Sequence, residues 1–163
     1  MLAQPIVEIR RANQRDAEAI ELLIRESFHE HEPAFTPKAF DLATPGKHEI
    51  GKRMKESAVW VAVRANVIVG TISAYSEGSS LHIRSMAVHP RARGQGIGKL
   101  LLGRVEDFAS ANGYKRLLLN TTPFMNRAIR LYEAFGFGFT GAERNWFATR
   151  LRTMTKELTL ARS

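Results

Sequence analysis

The segment from residue 81 to residue 113 constrains the fold of this chain more than any other part of the sequence. A mostly apolar run (81–88) leads into a basic turn (89–92) and then into Arg93-Gly94-Gln95-Gly96-Ile97-Gly98. Apolar residues at helical spacing follow, and Asn112-Gly113 is typical of a helix end. The pattern predicts a strand that passes through a glycine-rich corner directly into an amphipathic helix.

The same glycine-rich corner predicts a binding site for an anion. Its three glycines leave no side chain where a ligand must approach the backbone, and they open a helix whose first amides lack partners within the helix. Such a helix start favours phosphate groups, and Arg91, Arg93 and Lys99 add positive charge around it. We interpret the corner as a pyrophosphate cradle. Neither G-x-G-x-x-G nor the Walker spacing is present, so a turn with a purely structural role stays an alternative.

Composition favours a single globular domain over residues 1–163. Hydrophobic residues make up 44% of the chain and charged residues 25%, which suits a domain with a substantial core. No run of about 18 apolar residues is present, and no basic stretch with an apolar block opens the chain, so we expect neither a membrane partner nor a secretory leader. The absence of cysteine excludes disulfides and thiolate chemistry, and it agrees with a cytoplasmic location.

The net charge of +8 favours an anionic partner, either a phosphorylated cofactor, an acidic surface or nucleic acid. The basic residues are dispersed, and the sequence carries neither a helix-turn-helix pattern nor a zinc-finger pattern. A basic nucleic-acid-binding module therefore stays an alternative that the sequence disfavours.

Hydrophobic periodicity along the chain predicts an α/β (α+β) fold with six to seven strands and about four helices. The strand at 81–88 and the strand at 116–120 are joined by a helix, so we expect them to run parallel between antiparallel neighbours. A sheet of this kind can separate where the pairing changes and leave a slot for an extended ligand. The predicted strands are 6–10, 58–63, 67–75, 81–88, 116–120, 137–139 and 152–158, and the predicted helices are 13–28, 36–56, 94–112 and 122–133.

Four caps are predicted for these helices. Asn13 is expected to cap the first helix, with Asp16 in its first turn. Thr36 and Thr44 each precede a proline, which predicts two short helices or one interrupted helix over 36–56. Thr121 or Thr122 is expected to cap the helix before Gly136.

The run His29-Glu30-His31-Glu32 does not predict a metal site. Ligands on one helix face need a spacing of three or four residues, whereas these histidines are two apart. A polar helix end explains the run. If it forms a loop facing a substrate, its carboxylates would attract a cationic amine.

Two motifs in this order resemble the GCN5-related N-acetyltransferase (GNAT) superfamily. The first is Met86-Ala87-Val88-His89-Pro90 followed by the glycine-rich corner, and the second is Ala128-Ile129-Arg130-Leu131-Tyr132-Glu133-Ala134-Phe135-Gly136-Phe137. The order of strands and helices is also similar, so the resemblance covers nearly the whole chain. It implies a GNAT-type, mostly antiparallel sheet splayed between two central parallel strands. It also implies transfer of an acetyl group from acetyl-CoA to the amine of a small molecule or peptide, without a metal.

Carried over position by position, the resemblance implies a cofactor site and a general acid. Residues 93–99 would hold the pyrophosphate, and residues 86–88 would offer backbone groups to the pantetheine arm, with the Val88 amide facing the thioester oxygen. Tyr132 matches the tyrosine that protonates the departing thiolate, although a packing role is the alternative. The predicted cofactor-binding residues are Met86, Ala87, Val88, Arg91, Arg93, Gly94, Gln95, Gly96, Ile97, Gly98, Lys99 and Asn126.

Two positions depart from the family pattern. Many relatives place an asparagine where this chain has Met125, and Asn126 lies about 100° further around the helix. Relatives that modify ribosomal protein N-termini often carry a glutamate where this chain has Asn120, which cannot accept a proton. The general base is therefore not given by the motif.

His82 is the predicted general base. The strand period of two places it on the same face as Met86 and Val88, and its position resembles the strand glutamate of histone-modifying relatives. An imidazole with a pKa near 6.5 suits this role at neutral pH. A structural histidine, a water relay, or Glu26 or Glu30 from the preceding helix are the alternatives.

No motif identifies the amine acceptor. Its contacts are expected from loops around 28–50 and 140–150, where Trp146 and Phe147 would line the site or form a contact in a homodimer. A non-catalytic sensor that binds acetyl-CoA is the further alternative to an enzyme.

Overall fold

A seven-stranded sheet with helices on both faces forms the frame of the molecule, and its strands lie in the order β1-β2-β3-β4-β5-β7-β6. The computed structural model describes residues 5–159. The strands are β1 (Glu8–Arg11), β2 (Ala58–Arg64), β3 (Val67–Glu77), β4 (Ser80–Val88), β5 (Arg116–Thr121), β6 (Gly138–Trp146) and β7 (Thr149–Glu157). The α-helices are α1 (Ala17–Phe28), α2 (Pro37–Ala43), α3 (Lys47–Glu56), α4 (Ile97–Ala111) and α5 (Asn126–Phe135).

Strands β4 and β5 separate at the centre of the sheet, as predicted. They are parallel, and their register runs from Ser80 opposite Arg116 to Ile83 opposite Leu119. Both strands continue beyond this point, but within residues 5–159 no further pair joins them. Every other pair of neighbouring strands is antiparallel. The separation opens the middle of the sheet on the side of the glycine-rich corner.

A β-bulge in β4 lies at the start of this opening. Arg84 is opposite Ser73 on β3, but Ala87 is opposite Thr71, so β4 holds one residue more than its partner. Ser85 has a positive φ of 54°, a conformation that is uncommon for a residue with a side chain. A bulge of this kind bends a strand and shifts its side chains from one face to the other.

Because of the bulge, the prediction that His82 shares a face with Met86 and Val88 is wrong. Ile83 before the bulge, and Met86 and Val88 after it, contact the core beneath α4. His82 alternates with Ile83 and therefore lies on the other face, on which Ala87 packs against α1 and α3. The period of two holds on each side of Ser85 but not across it.

The helical spacing of Ala17, Ile20, Leu23, Ile24 and Phe28 predicts one apolar face for the first helix. The first four of these residues are buried in α1, and Phe28 is partly buried. Asn13 forms a capping box with Asp16, as predicted, although the first turn is a 3-10 helix.

Thr36 caps α2 through the backbone N–H of Ala39. The prediction for Thr44 is wrong, because its hydroxyl donates to the Phe40 carbonyl at the end of α2. The next helix, α3, begins after Gly46.

Helix α5 begins later than the sequence predicts. Met125 is its N-cap residue, without a side-chain cap, so neither Thr121 nor Thr122 caps it. Gly136 ends the helix as predicted, with a left-handed φ of 108°.

Strands β6 and β7 form a longer hairpin than expected. Most of the segment 140–150, predicted as a loop, belongs to these two strands, and Phe147 and Ala148 form the turn with positive φ angles. Most side chains of β6 are exposed, so its sequence lacks the apolar alternation that marks a half-buried strand. No helix in the described part of the chain is long and apolar enough to cross a membrane.

Candidate active site

Two cavities meet where β4 and β5 separate. The first, which we call the amide cavity, has a volume of about 260 Å³ and extends from the glycine-rich corner along residues 86–88 to α5. The second, which we call the arginine cavity, has a volume of about 410 Å³ and lies among α2, α3, β4, β5 and the β6–β7 hairpin. Both volumes suit small-molecule ligands or parts of them. The two cavities share four lining residues, which are Phe28, Met86, Met125 and Tyr132.

The amide cavity begins at the start of α4. Gly94 and Gly96 have left-handed φ angles of 77° and 80°, and the space beside both residues is open to beyond 4 Å. Gly96 caps the helix without a side-chain hydrogen bond, so the first amides of α4 have no side-chain acceptor. Unpaired amides beside open space at the positive end of a 15-residue helix provide a site for an anion.

Gly98 has a different role from the other two glycines of this corner. A Cβ atom at this position would lie 2.6 Å from Cδ2 of Leu131 on α5 and 3.3 Å from Cε of Met86. The missing side chain therefore allows α4 and α5 to pack closely at the wall of the amide cavity. The expectation that all three glycines leave space for a ligand therefore holds for Gly94 and Gly96, but not for Gly98.

Most of the residues predicted to bind a cofactor line the amide cavity. They are Met86, Ala87, Val88, Arg93, Gly94, Gly96, Ile97, Gly98 and Lys99. Arg91, Gln95 and Asn126 do not line it. Arg91 and Asn126 are exposed, and the side chain of Gln95 accepts a hydrogen bond from Arg64. Met125 lines the cavity in place of its neighbour Asn126.

The backbone of Val88 presents its N–H to the opening in the sheet. The next residue, His89, donates its N–H to the Val69 carbonyl on the β3 side, at 2.9 Å. Successive residues of a strand direct their backbone N–H and C=O groups to opposite edges of the strand. The Val88 N–H therefore faces the edge of β4 from which β5 has separated. The Val88 carbonyl on that edge accepts a hydrogen bond from Ser27 of α1, at 3.2 Å.

Glu30 holds two arginines at the rim of the amide cavity. Its Oε1 lies 2.6 Å from Arg93 and 3.2 Å from Arg127. Burial alone would raise the pKa of this carboxyl, but Arg93, with smaller contributions from His31 and Arg127, holds the pKa below its ordinary value. Glu30 is therefore an ionised partner of arginine. Of the two carboxylates in the run His29–Glu32, that of Glu30 is therefore taken by arginines and not free to attract a cationic amine.

Glu26, the other carboxylate considered as a general base, also has a partner. Its Oε2 lies 2.8 Å from Nε2 of His89, at the basic turn that follows β4. Glu26 and Glu30 therefore tie the end of α1 to the glycine-rich corner. Neither residue lines the arginine cavity. In residues 5–159 no cluster of three or more His, Cys, Asp or Glu residues could hold a metal ion.

Tyr132 stands at the junction of the two cavities. It is 9% exposed and packs edge-on against Phe137, with ring centroids 5.9 Å apart. Burial raises the pKa of its hydroxyl to about 12, so the hydroxyl stays protonated at neutral pH. A protonated phenol beside both cavities can donate a proton to a group bound at their junction.

His82 lines the arginine cavity with one ring nitrogen held by two neighbours. Nδ1 lies 2.9 Å from Oε2 of Glu77 and 2.8 Å from the hydroxyl of Tyr75. A carboxylate only accepts hydrogen bonds, so we assign the proton to Nδ1, which leaves the lone pair on Nε2. Burial lowers the pKa of the ring, the hydrogen bond to Glu77 opposes this, and the charges of Arg144 and Arg84 lower it further. His82 is therefore neutral at pH 7 and able to accept a proton.

Three arginines that no sequence motif indicates line the arginine cavity. Arg53 lies on α3, Arg84 on β4 and Arg144 on β6. They are far apart in the sequence and come from separate elements, so no local motif connects them. The only signal was that Arg144 falls in the segment expected to contact the acceptor. Asn120 and Trp146 line the same cavity, whereas Phe147 lies in the hairpin turn and is half exposed.

Sequence comparisons identify a protein family and several similar proteins for this chain. A family model described as "Acetyltransferase (GNAT) family" matches residues 17–137. N-acetylaspartate synthetase of Danio rerio is 37% identical over 92 residues, which are 55% of this chain and 33% of that protein. The chain thus spans about a third of the length of these synthetases. IAA acetyltransferase of Azospirillum brasilense is 37% identical over 111 residues, which are 67% of this chain and 68% of that protein.

Solved structures share the fold at low sequence identity. The PaiA N-acetyltransferase of Thermoplasma acidophilum, in complex with coenzyme A, has a TM-score of 0.81 at 16% identity, and the match covers 94% of this chain and 99% of that one. YncA of Salmonella typhimurium, a putative acetyltransferase solved with acetyl-CoA, has a TM-score of 0.74 at 22% identity over 96% of both chains. Because the family model covers most of the chain, this protein belongs to the acetyltransferase (GNAT) family.

Proposed function

We propose that this protein is an N-acetyltransferase that moves an acetyl group from acetyl-CoA to the amine of a small molecule or peptide. One observation supports this proposal above all others. A continuous space leads from the free amides at the start of α4, past the Val88 N–H, to Tyr132, and a second cavity opens at that point. The first cavity suits a long phosphorylated donor, and the second suits the acceptor.

The residues of the amide cavity fit coenzyme A at both ends. The amides of residues 97–99, with Arg93 and Lys99 in the lining, would hold the diphosphate. The mostly apolar wall formed by residues 86–88, Ala128 and Leu131 would hold the arm that carries the acetyl group. Acetyl-CoA supplies an activated acyl group whose thiolate leaves when an amine attacks.

In the proposed reaction, three groups of this chain act at the junction of the cavities. Nε2 of His82 takes the proton from the ammonium, directly or through water, so that the free amine attacks. The Val88 N–H stabilises the negative charge on the acetyl oxygen, which can contribute about 3 kcal/mol. The new N–C bond forms as the C–S bond breaks, and Tyr132 gives its proton to the leaving sulfur. The second proton that the nitrogen loses on becoming an amide returns to the oxygen of Tyr132, directly or through water.

The acceptor does not follow from family membership. The names of the matched proteins differ in what they denote, from N-acetylaspartate synthetase to IAA acetyltransferase and a ribosomal-protein-S18-alanine N-acetyltransferase. A sensor that binds acetyl-CoA without turnover would use the amide cavity alone. The second cavity, with a protonated phenol and a neutral histidine, favours an enzyme.

The proposal is tested by measuring coenzyme A binding and the release of free thiol over a panel of amines. Two variants at opposite ends of α4 make a matched pair, since Gly96 and Gly113 both have left-handed φ angles and open space beside them. Gly96→Ala places a methyl group at the anion site, and we expect at least tenfold weaker coenzyme A binding. Gly113→Ala carries the same backbone strain and should leave binding unchanged.

Thiol release with at least one amine is expected from the wild-type chain. Binding of coenzyme A without turnover on any amine would favour the sensor. Absence of coenzyme A binding would overturn the proposal as a whole.

A further inference from the structure

We propose that the arginine cavity binds the carboxylates of the acceptor, and that the acceptor is an amino acid, preferably one with two carboxylates. This inference rests on the proposed function, because it identifies the molecule that receives the acetyl group. It contrasts with the cationic amine that the sequence suggested for the run His29–Glu32, which does not line this cavity.

The lining of the arginine cavity is strongly one-sided in charge. It includes Arg53, Arg84 and Arg144, and among the described residues that line it there is no Asp or Glu. The nearest carboxylates are engaged at the edges. Glu49 lies 3.5 Å from Nε of Arg53, and Glu77 bonds to His82. A cavity with this charge favours an anion and disfavours a diamine or polyamine.

Arg53 is the buried member of the three. Its side chain is only 11% exposed, and its NH1 group donates to the hydroxyl of Ser85 at 2.8 Å. Burial and, next, the positive charge of Arg84 lower the pKa of its guanidinium. Two guanidinium groups that repel one another inside a cavity are stabilised by an anion placed between them.

Arg84 and Arg144 have free capacity to bind a ligand. In the described part of the chain neither forms an ion pair, and the buried Nε of Arg84 has no hydrogen-bond partner. The central carbon of the Arg84 guanidinium lies over the ring of Tyr75, 4.5 Å from the ring centroid. A guanidinium offers two parallel N–H donors, the arrangement that a carboxylate accepts best.

The position of the arginines relative to the proposed reaction suits an amino acid. The three arginines share the cavity with His82 and Tyr132, so a ligand held by its carboxylates can present its amine to these two groups. A cavity of about 410 Å³ admits a small amino acid. Arg84 and Arg144, the two cavity arginines without an ion pair in the described part of the chain, can each take one carboxylate, which is why we expect a preference for two.

The experiment compares steady-state acetylation of L-aspartate and L-glutamate with that of their amides, L-asparagine and L-glutamine, and of putrescine. We expect kcat/KM for the dicarboxylic amino acids to exceed that for the amides and the diamine at least tenfold. Arg84→Gln and Arg144→Gln should each raise KM for the dicarboxylic substrate about tenfold or more, with a smaller change in kcat and unchanged coenzyme A binding. Arg144 is exposed, so its replacement leaves the fold intact even if Arg84→Gln does not.

Arg130→Gln is the matched control, since Arg130 is exposed on α5 and lines neither cavity. Its kinetics should equal those of the wild type. The inference is overturned if putrescine or the amides are the better substrates, or if Arg144→Gln leaves KM unchanged. It is also overturned if coenzyme A binds while no carboxylate-bearing amine reacts. Failure to bind coenzyme A would instead count against the proposed function.

Discussion

The pKa values of two titratable residues that line the arginine cavity are shifted in opposite directions. Burial raises the pKa of Tyr132 to about 12, and burial lowers the pKa of His82 despite its hydrogen bond to Glu77. At neutral pH the tyrosine therefore keeps its proton, and the histidine has a free lone pair. An acid and a base separated in this way are what acyl transfer to an ammonium requires.

The role of Tyr132 as general acid predicts the effect of Tyr132→Phe. Only the hydroxyl is removed, so packing against Phe137 and coenzyme A binding should persist. We expect kcat to fall about 10²-fold, with little change in KM for the amine, because proton donation is made only in the transition state. Stopped assays of thiol release would measure this.

The pH dependence of the same reaction provides a second readout. Tyr132 acts in its protonated form, and its pKa is about 12, so no loss of activity through Tyr132 is expected as the pH rises to 10. Unchanged turnover in Tyr132→Phe across the amine panel would remove Tyr132 as the acid.

The tautomer and pKa of His82 predict the effect of Glu77→Gln. The hydrogen bond and charge of Glu77 raise the pKa of His82, so their loss should lower the pKa further below its ordinary value of about 6.5. Titration of the imidazole by NMR would show this shift directly, without interference from the protonation of the amine substrate. His48 is a control, because it lies on α3 outside both cavities. A His82 pKa that rises, or that equals the ordinary value in the wild type, would contradict the assignment.

At the level of elements, one inserted residue decides which side chains reach each cavity. The bulge at Ser85 directs Met86 and Val88 to the core beneath α4 and leaves His82 and Arg84 on the opposite face. Without it, these four residues would share one face by the period of two. The bulge therefore lets a single strand serve the amide cavity with its end and the arginine cavity with its middle.

The close contact between α4 and α5 predicts opposite effects for two Gly→Ala substitutions in α4. Gly98→Ala would place a methyl group 2.6 Å from Leu131, so we expect the free energy of unfolding to fall by about 1–3 kcal/mol. At Gly103 no atom lies within 4 Å of the added methyl group, so Gly103→Ala should raise stability by about 0.5–1 kcal/mol through helix propensity. Urea unfolding of both variants checks the pair. If Gly98→Ala were stabilising, the packing role of this glycine would be wrong.

For the molecule as a whole, the separation of β4 and β5 leaves backbone groups of the sheet without partners. A ligand that lies in the opening binds the folded state alone, so it should stabilise the whole fold by mass action. The net charge of +8 also permits binding to other polyanions. Stabilisation by coenzyme A therefore supports the proposed function only if other polyanions do not stabilise the fold equally. A homodimer stays a prediction, to be measured by sedimentation.

Thermal unfolding tests this stabilisation. Coenzyme A at about 100 times its Kd should add about 2.7 kcal/mol to the free energy of unfolding, which corresponds to a rise in Tm of about 5–10 °C for a chain of this size. Duplex DNA at physiological salt should produce no comparable rise. A larger shift with DNA than with coenzyme A, lost as salt increases, would favour a nucleic-acid-binding module instead.

The sequence by itself determined the strands that flank the opening, the glycine-rich start of α4 and the motif that contains Tyr132, because each is encoded by neighbouring residues. Hydrophobic periodicity and turn chemistry are local, so they predict elements of this kind well. The predicted caps at Thr44 and Thr122 were wrong, because the Thr44 hydroxyl bonds to the Phe40 carbonyl at the end of the preceding helix and the Thr122 hydroxyl is buried without a hydrogen-bond partner.

Only the tertiary structure decided which side chains meet in the second cavity. Arg53, Arg84 and Arg144 come from a helix and two strands, and the bulge at Ser85 has no signature in composition or period. The pairing of His82 with Glu77 and the burial of Tyr132 likewise depend on packing across the sheet. The charge of a cavity is the sum of the charges of side chains that are distant from one another in the chain. A sequence pattern relates only residues that are near one another in the chain.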